Sequence, residues 1–332
     1  MKNMEYINNQ IPVRGARLFV PCKRLVFYIV TAILFAVPSG VWAVAQEAGV
    51  EESLSASPLL GKIQELPVFK GNPSDRTRFD WLLEPEKSRA GVFRTSDGKS
   101  VIIANGMVSR RFRIFPNLAT TDFTNRMLGE SMLRAVSPEG YVWIDGEKWS
   151  IGGLDGQPER GYIRDGWIDS MRTVPCSFKV EDFEVRDTVP VLEWKRSRWA
   201  LNKENPTGKE VVFTLRGSGE TEGLFVRLYY SIYDNVPVIR KRMELVNRSG
   251  RPVGIDRFSL EYLSFAEPES PSGGDPATFL LPNIHVESDY ACKGSFTEKE
   301  TDITEYWITD SLYTSQRNWP LQTPCILEVK PR

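Results

Sequence analysis

The chain has 332 residues, of which 41% are hydrophobic and 26% are charged, and its formal net charge is −1. This composition is typical of a globular protein that is long enough to bury a large core. The near-neutral charge, without a basic stripe, argues against a nucleic-acid-binding surface. The one histidine, His285, excludes a histidine-rich zinc site.

The first 45 residues have the pattern of an export signal. Lys23 and Arg24 precede an uncharged run over residues 25–45, which ends in the small-x-small triplet Ala-Val-Ala. We expect cleavage after Ala45. The alternative is an uncleaved membrane anchor, since a run of this length just spans a bilayer. In both cases we expect the body of the protein to be exported, to the periplasm or the cell exterior.

Residues 46–78 mix acidic residues with serine, proline and glycine, which predicts a linker. The string LLGKIQEL within it predicts a short helix. From residue 79 onwards the pattern changes to strands. In the string VIIANGMVSRRFRIF, Phe112 and Ile114 alternate with Arg111 and Arg113, which is the period of a half-buried strand.

Further strands follow at short intervals. The string YVWIDGEKWSIGG predicts a hairpin about the dipeptide Asp145-Gly146. EVVFTLRG and GLFVRLYYSIYDN predict one strand each, and the sequence from 236 to 265 predicts two more about a turn at Ser249-Gly250. Asn247 opens a glycosylation sequon, but its position favours a turn role. In the string GLFVRLYYSIYDN, the apolar residues predicted to share one face are Leu224, Val226, Leu228, Tyr230 and Ile232.

These strands predict a mainly β fold: a large antiparallel β-sandwich over residues 79–332. An N-terminal apolar signal helix precedes it. The final run, CILEVKPR, has no closing turn after it. We therefore expect the sandwich to be truncated at its C-terminus, with an open strand edge there.

Two groups of residues are candidates for chemistry with sugars. Trp194 and Trp199 are candidates for stacking against a carbohydrate, with Glu193 and Arg196 beside them to bind hydroxyl groups. The alternative for both tryptophans is ordinary core packing. These four residues form the predicted carbohydrate-binding site.

The carboxylates Asp165 and Asp169 flank Trp167 and are the best suggestion for a catalytic pair. A solvated loop is the alternative for this segment, so no catalytic residue is assigned. The string PNIHVESDY predicts that His285 is an ordinary strand residue. Three cysteines of the body are widely spaced, which argues against a metal site and allows one disulfide with one free thiol: Cys176, Cys292 and Cys325.

Five strings in order carry a resemblance to a known family: ANGMVSRRFRIFPNLATTDFTN, LRAVSPEGYVWIDGEKWSIGGL, LEWKRSRW with NPTGKEVVFTL, VRLYYSIYDNVPVIRKRMELVN and DSLYTSQRNWPLQTPC. Together they resemble the N-terminal domain of family 36-type α-galactosidase-like glycoside hydrolases. The resemblance implies a β-supersandwich of the galactose-mutarotase-like kind, which packs on a catalytic (β/α)8 barrel in that family.

The resemblance implies a module of a sugar-cleaving enzyme. The catalytic carboxylates of the family lie on the barrel, and no position of this chain corresponds to them, so we expect the chain to be inactive alone, with no cofactor and no metal. Its expected partners are a galactoside-type carbohydrate and a missing or separately encoded barrel. The alternative is a stand-alone exported carbohydrate-binding or structural β-sandwich.

Overall fold

The computed structural model describes residues 58–71, 80, 83–84, 88–158, 160, 162–190 and 205–265, and the backbone of two later strands. The fold is mainly β, as the sequence predicts. Its helices are α1 (Pro58–Glu65) and α2 (Asp165–Ile168), with a 3-10 turn at Gly219–Thr221. The strands in chain order are β1 (Gly91–Arg94), β2 (Ser100–Ala104), β3 (Val108–Arg113), β4 (Ala119–Asn125), β5 (Glu130–Ser131), β6 (Leu133–Ala135), β7 (Gly140–Ile144), β8 (Glu147–Ile151), β9 (Leu154–Asp155), β10 (Arg172–Thr173), β11 (Ser177–Asp187), β12 (Gly208–Arg216), β13 (Leu224–Tyr233), β14 (Ile239–Asn247), β15 (Ile255–Ser259), β16 (Ser264–Phe265), β17 (Glu305–Ile308) and β18 (Ile326–Val329).

Two large sheets account for most of these strands. The first is an antiparallel meander in the order β1-β2-β3-β4-β5. The second has seven strands in the order β14-β13-β12-β11-β8-β7-β15, and it is mixed because β8 and β11 pair in parallel. Three two-stranded sheets complete the described strands: β9 with β10, β6 with β16, and β17 with β18.

The two large sheets share one hydrophobic core. Alternate residues of β2, β3, β7, β8, β12 and β13 point into it, because side chains of a strand alternate between its two faces. Phe112 and Ile114 are buried there, as their alternation predicts. The predicted face of β13, from Leu224 to Ile232, is also confirmed as buried. The packing is therefore sandwich-like.

Helix α1 confirms the short helix predicted from LLGKIQEL. Leu59 and Ile63 lie on one face of it and are buried in the shared core. Val68 then forms a parallel bridge with Arg94 of β1. Residues 58–71 thus pack against the sheets.

Consecutive strands β14 and β15 lie at opposite edges of the seven-stranded sheet. The seven residues between them connect these edges, although six inter-strand spacings of about 4.8 Å would separate them in a flat sheet. The sheet must therefore curl to bring its edges towards each other. Asn247 has the predicted turn role in this connection, where its Oδ1 accepts hydrogen bonds from the backbone N–H and the hydroxyl of Ser249.

The hairpin of β7 and β8 forms about Asp145-Gly146 as predicted. Both residues have positive φ, 51° and 85°, which a type I′ turn requires. At the end of the hairpin, Gly152 has φ of 63°, and a β-carbon built there would lie 2.3 Å from the backbone oxygen of Leu118. Only glycine fits this close approach.

Within the described residues, no helix is long and apolar enough to cross a membrane. The predicted signal or anchor over residues 25–45 lies outside those residues. So does the chain after Val329, where the sequence predicts an open edge.

Candidate functional site

The sequence-predicted sugar site, Glu193, Trp194, Arg196 and Trp199, lies outside the described residues. The described part of the chain offers a different group of aromatic side chains, on strand β7 and after strand β15. Val142 and Ile144 of β7 point into the core, so Tyr141 and Trp143 lie on its other face. Tyr262 joins them, and we call these three residues the aromatic platform.

Trp143 lies between two cationic residues from the flanking strands. It pairs with Lys148 of β8 on one side and with Arg257 of β15 on the other. The Lys148 Nζ lies 5.2 Å from the centre of the Trp143 ring, and the Arg257 guanidinium carbon lies 4.9 Å from it. Both distances are those of cation–π contacts. Burial and the charge of Arg257 lower the pKa of Lys148.

Tyr141 occupies the next outward position of the strand. Its ring meets the ring of Tyr262 edge to face at 5.4 Å, and that of Trp143 at 6.2 Å. Lys148 Nζ lies 3.7 Å from its centre. Burial and the neighbouring Tyr262 raise the pKa of the Tyr141 phenol to about 12, so it stays a neutral donor at physiological pH. Tyr262 itself is 43% exposed, so solvent reaches the edge of the platform.

A second group of polar residues lies beside the platform, and we call it the buried ionic cluster: Arg110, Glu139, Tyr230, Lys241 and Glu261. Arg110 belongs to the inward face of β3 and is fully buried. Its Nη2 donates to Glu139 Oε2 at 3.0 Å, and its Nη1 donates to Glu261 Oε2 at 2.8 Å. Its guanidinium carbon also lies 4.8 Å from the centre of the Tyr230 ring.

The other members of the buried ionic cluster form hydrogen bonds and ion pairs with one another. Lys241 Nζ donates to Glu261 Oε1 at 2.8 Å and to the backbone oxygen of Glu139 at 2.6 Å. The Tyr230 hydroxyl donates to the Glu139 carboxylate. Burial and the Glu139 charge raise the pKa of Tyr230 well above its usual range. Because each charge has an opposite charge beside it, the cluster avoids the large cost of an isolated buried ion.

The state of Glu261 decides what this cluster can do chemically. Burial opposes its ionisation, but Arg110 and Lys241 outweigh burial and lower the pKa of Glu261 to about 2. A retaining glycosidase needs one carboxyl group that is held protonated at working pH. Glu261 does not meet that need, so we assign the cluster a structural role.

The cluster and the platform share two chain segments. Glu139 and Tyr141 are two residues apart, and Glu261 and Tyr262 are adjacent. The ion pairs of Glu139 and Glu261 therefore fix the backbone from which two platform rings project. This arrangement makes the buried ionic cluster the support of the aromatic platform.

The carboxylates Asp165 and Asp169, which flank Trp167, lie near the outward side chains of β3 and near Lys99, the residue before β2. Arg111 Nη2 donates to Asp165 Oδ1 at 2.6 Å, and Arg113 Nη2 donates to Asp169 Oδ1 at 2.7 Å. Both carboxylates are more than half exposed. Burial alone would raise the pKa of Asp169, but hydrogen bonds from Lys99 and Arg113 lower it. Exposed ion pairs fit the solvated alternative.

Trp167 lies on α2 and stacks on Tyr162 with ring centres 5.3 Å apart. The guanidinium carbon of Arg164 lies 5.5 Å from the Trp167 ring. This pair is therefore a second aromatic and cationic surface, and it shares no residue with the platform.

The described residues contain no group of three or more metal-binding side chains. His285, Cys292 and Cys325 lie outside these residues. Cys176 is half-buried, at a backbone φ of 55°.

Sequence reasoning missed the aromatic platform, although its signal was present. In the string YVWI of β7, placing Val142 and Ile144 inward leaves Tyr141 and Trp143 outward. The positions of Arg257 and Tyr262 depend on the pairing of β15 with β7, and no local pattern gives that pairing.

Comparison of the chain with protein-family models, with curated proteins and with solved structures finds no match.

Proposed function

We propose that the chain is a carbohydrate-binding β-sandwich and that a saccharide binds on the aromatic platform. The observation that carries the proposal is the outward-facing row Lys148, Trp143, Arg257 beside Tyr141 and Tyr262. The C–H groups of a sugar ring pack favourably on the electron-rich face of an aromatic ring. The flanking ammonium, guanidinium and phenol groups are hydrogen-bond donors suited to sugar oxygens.

The finer proposal follows the sequence resemblance. It takes the fold as a galactose-mutarotase-like supersandwich, which serves as a module of an exported α-galactosidase-like glycoside hydrolase, with the catalytic carboxylates on a (β/α)8 partner. The pKa values of Glu261 and Asp169 are both lowered. This supports the part of the proposal that places the catalytic carboxylates on the partner. Neither is suited to donate a proton, so we expect binding without hydrolysis from this chain.

Calorimetric titration of the purified 332-residue chain tests the proposal. The ligands are galactose, neutral galacto-oligosaccharides and oligogalacturonate. We expect saturable binding of at least one of them, and Trp143→Ala to weaken it at least tenfold. Trp167→Ala is the matched control, because Trp167 also has a tyrosine and an arginine beside its ring.

The control variant should bind as the wild type does. A folded wild-type chain that binds none of these saccharides would overturn the proposal. Equal losses in both tryptophan variants would also contradict it, since they would show that the platform is not the binding surface.

A further inference from the structure

The platform has more positive charge than a neutral sugar needs. Lys148 and Arg257 are on the two strands that flank β7. At the usual strand spacing, their Cα atoms are about 10 Å apart across Trp143. Both contact the same ring. The charge of Arg257 raises the free-energy cost of the charged form of Lys148 unless a ligand or a neighbour supplies negative charge to that ammonium group.

The neighbouring carboxylates do not supply it to Lys148. Asp145 Oδ1 accepts a hydrogen bond from the Gly254 backbone N–H, and Asp256 Oδ2 accepts one from Gly146. Both groups are thus engaged at the β7–β8 turn. Glu147 is adjacent to Lys148 in β8, so it lies on the opposite face of the strand.

The local electrostatics agree with this geometry. Burial is the larger cause that lowers the pKa of Lys148, and the charge of Arg257 lowers it further. Within the described residues, no carboxylate forms an ion pair with this ammonium group. Its contacts there are the faces of Tyr141 and Trp143. The ammonium is thus held over aromatic rings.

We propose that the aromatic platform binds an anionic saccharide, a pyranose chain that carries carboxylate or sulfate groups. This inference rests on the proposed function and adds the ligand class. The sugar ring packs on Trp143, and an acidic substituent of the same or the next unit lies at Lys148. Arg257 contributes positive charge on the other side of the ring, where its planar guanidinium fits a carboxylate or a sulfate.

The test compares ligands that differ in charge and not in the sugar backbone. The purified 332-residue chain is titrated with oligogalacturonate, with its fully methyl-esterified form, and with a sulfated galacto-oligosaccharide beside its unsulfated parent. Polyglutamate is the control for charge without sugar. We expect the anionic saccharides to bind at least tenfold more tightly than their neutral forms, and polyglutamate to bind weakly. The carboxylated and sulfated ligands together show which anion is preferred.

The variant Lys148→Met removes the ammonium and keeps an apolar side chain on the rings. We expect it to weaken binding of the anionic saccharide about two- to fivefold, the range of an exposed ion pair, and to weaken binding of the neutral form, which loses one hydrogen-bond donor, by a smaller factor. Lys148→Arg should restore most of the loss. Lys209→Met is the matched control, because Lys209 pairs with the exposed Asp187 on β11.

The outcomes separate this inference from the proposed function. Equal binding of anionic and neutral saccharides, with both lost in Trp143→Ala, would overturn the anionic preference and keep the carbohydrate-binding function. Tight binding of polyglutamate would overturn the assignment to a saccharide. If no saccharide binds, both proposals fail.

Discussion

Lys241 and Glu261 approach each other from opposite edges of one sheet. Lys241 lies on β14 and Glu261 follows β15, the two outermost strands of the seven-stranded sheet, yet their Nζ and Oε1 atoms are 2.8 Å apart. Arg110 of the other large sheet binds the same carboxylate. Glu261 therefore links both edges of the curled sheet to its neighbouring sheet.

The first prediction concerns this link. Replacing Glu261 by glutamine leaves Arg110 and Lys241 with one carboxylate between them. The two cations are buried and the Glu261 side chain is 32% exposed, so we expect the free energy of unfolding to fall by about 2–4 kcal/mol, somewhat less than for a fully buried pair. Urea unfolding measures the loss. The control is Glu222→Gln, which removes an exposed pair with Arg216 and should cost less than about 1 kcal/mol.

The same variant tests the support of the platform. Tyr262 follows Glu261 directly, so movement of this segment should displace the Tyr262 ring from Tyr141. We expect Glu261→Gln to weaken saccharide binding severalfold at a temperature where the variant is still folded. Unchanged affinity would mean that the ionic cluster and the platform are independent.

Acid stability gives a third prediction. The pKa of Glu261 is lowered in the folded protein from 4.5 to about 2. Its contribution to stability is therefore complete above about pH 4.5, and it is lost as the pH falls towards 2. A shift of this size corresponds to about 3 kcal/mol.

Denaturant unfolding between pH 6 and pH 2 checks the prediction. The difference in stability between the wild type and Glu261→Gln should shrink as the pH falls through this window. A difference that stays constant down to pH 2 would contradict the lowered pKa.

A fourth prediction concerns the backbone at the end of the β7–β8 hairpin. In Gly152→Ala the new β-carbon would meet the Leu118 oxygen at 2.3 Å, and φ is positive as well. We expect a loss of about 3 kcal/mol or more in the free energy of unfolding. Gly146→Ala is the control: its φ is also positive, but no atom lies within 4 Å of the new carbon, so about 1 kcal/mol is expected. Similar losses in both variants would show that the clash is relieved by a backbone shift.

The fifth prediction concerns hydrolysis. We expect no turnover of a chromogenic α-galactoside by the purified 332-residue chain, because Asp165 and Asp169 are ion-paired to arginines of β3. Asp165→Asn and Asp169→Asn should each change the free energy of unfolding by less than about 1 kcal/mol. Measurable wild-type turnover that Asp169→Asn abolishes would reverse our view of this pair.

Local patterns in the sequence predicted the mainly β fold and several of its elements correctly. Neighbouring residues alone determine the alternation in β3 and β13 and the turn at Asp145-Gly146. A local sequence pattern is therefore enough to predict these strands and this turn. The mixed seven-stranded order does not follow from such patterns. The strands predicted about Ser249-Gly250 exist, but they lie at opposite edges of the curled sheet.

The candidate site was harder to predict for the same reason. Arg110 of β3 has the same parity as the buried Phe112 and Ile114, but no local pattern shows which acidic residues would pair with a buried arginine there. Its burial depends on Glu261, which is 151 residues away in the chain. A buried arginine can be predicted only when its carboxylate partners are known, and these partners are brought together by tertiary structure.

The buried ionic cluster also bears on how the chain finds its fold. Its members come from β3, from the residue before β7, from β13, from β14 and from the segment after β15. A slip of one residue in β14 would turn Lys241 to the other face of the sheet and leave two carboxylates short of a cation. A wrong strand register therefore costs the free energy of burying an unpaired charge. A purely apolar core would not add this cost. The ion pairs of this cluster therefore favour the native register of β14 over a register shifted by one residue.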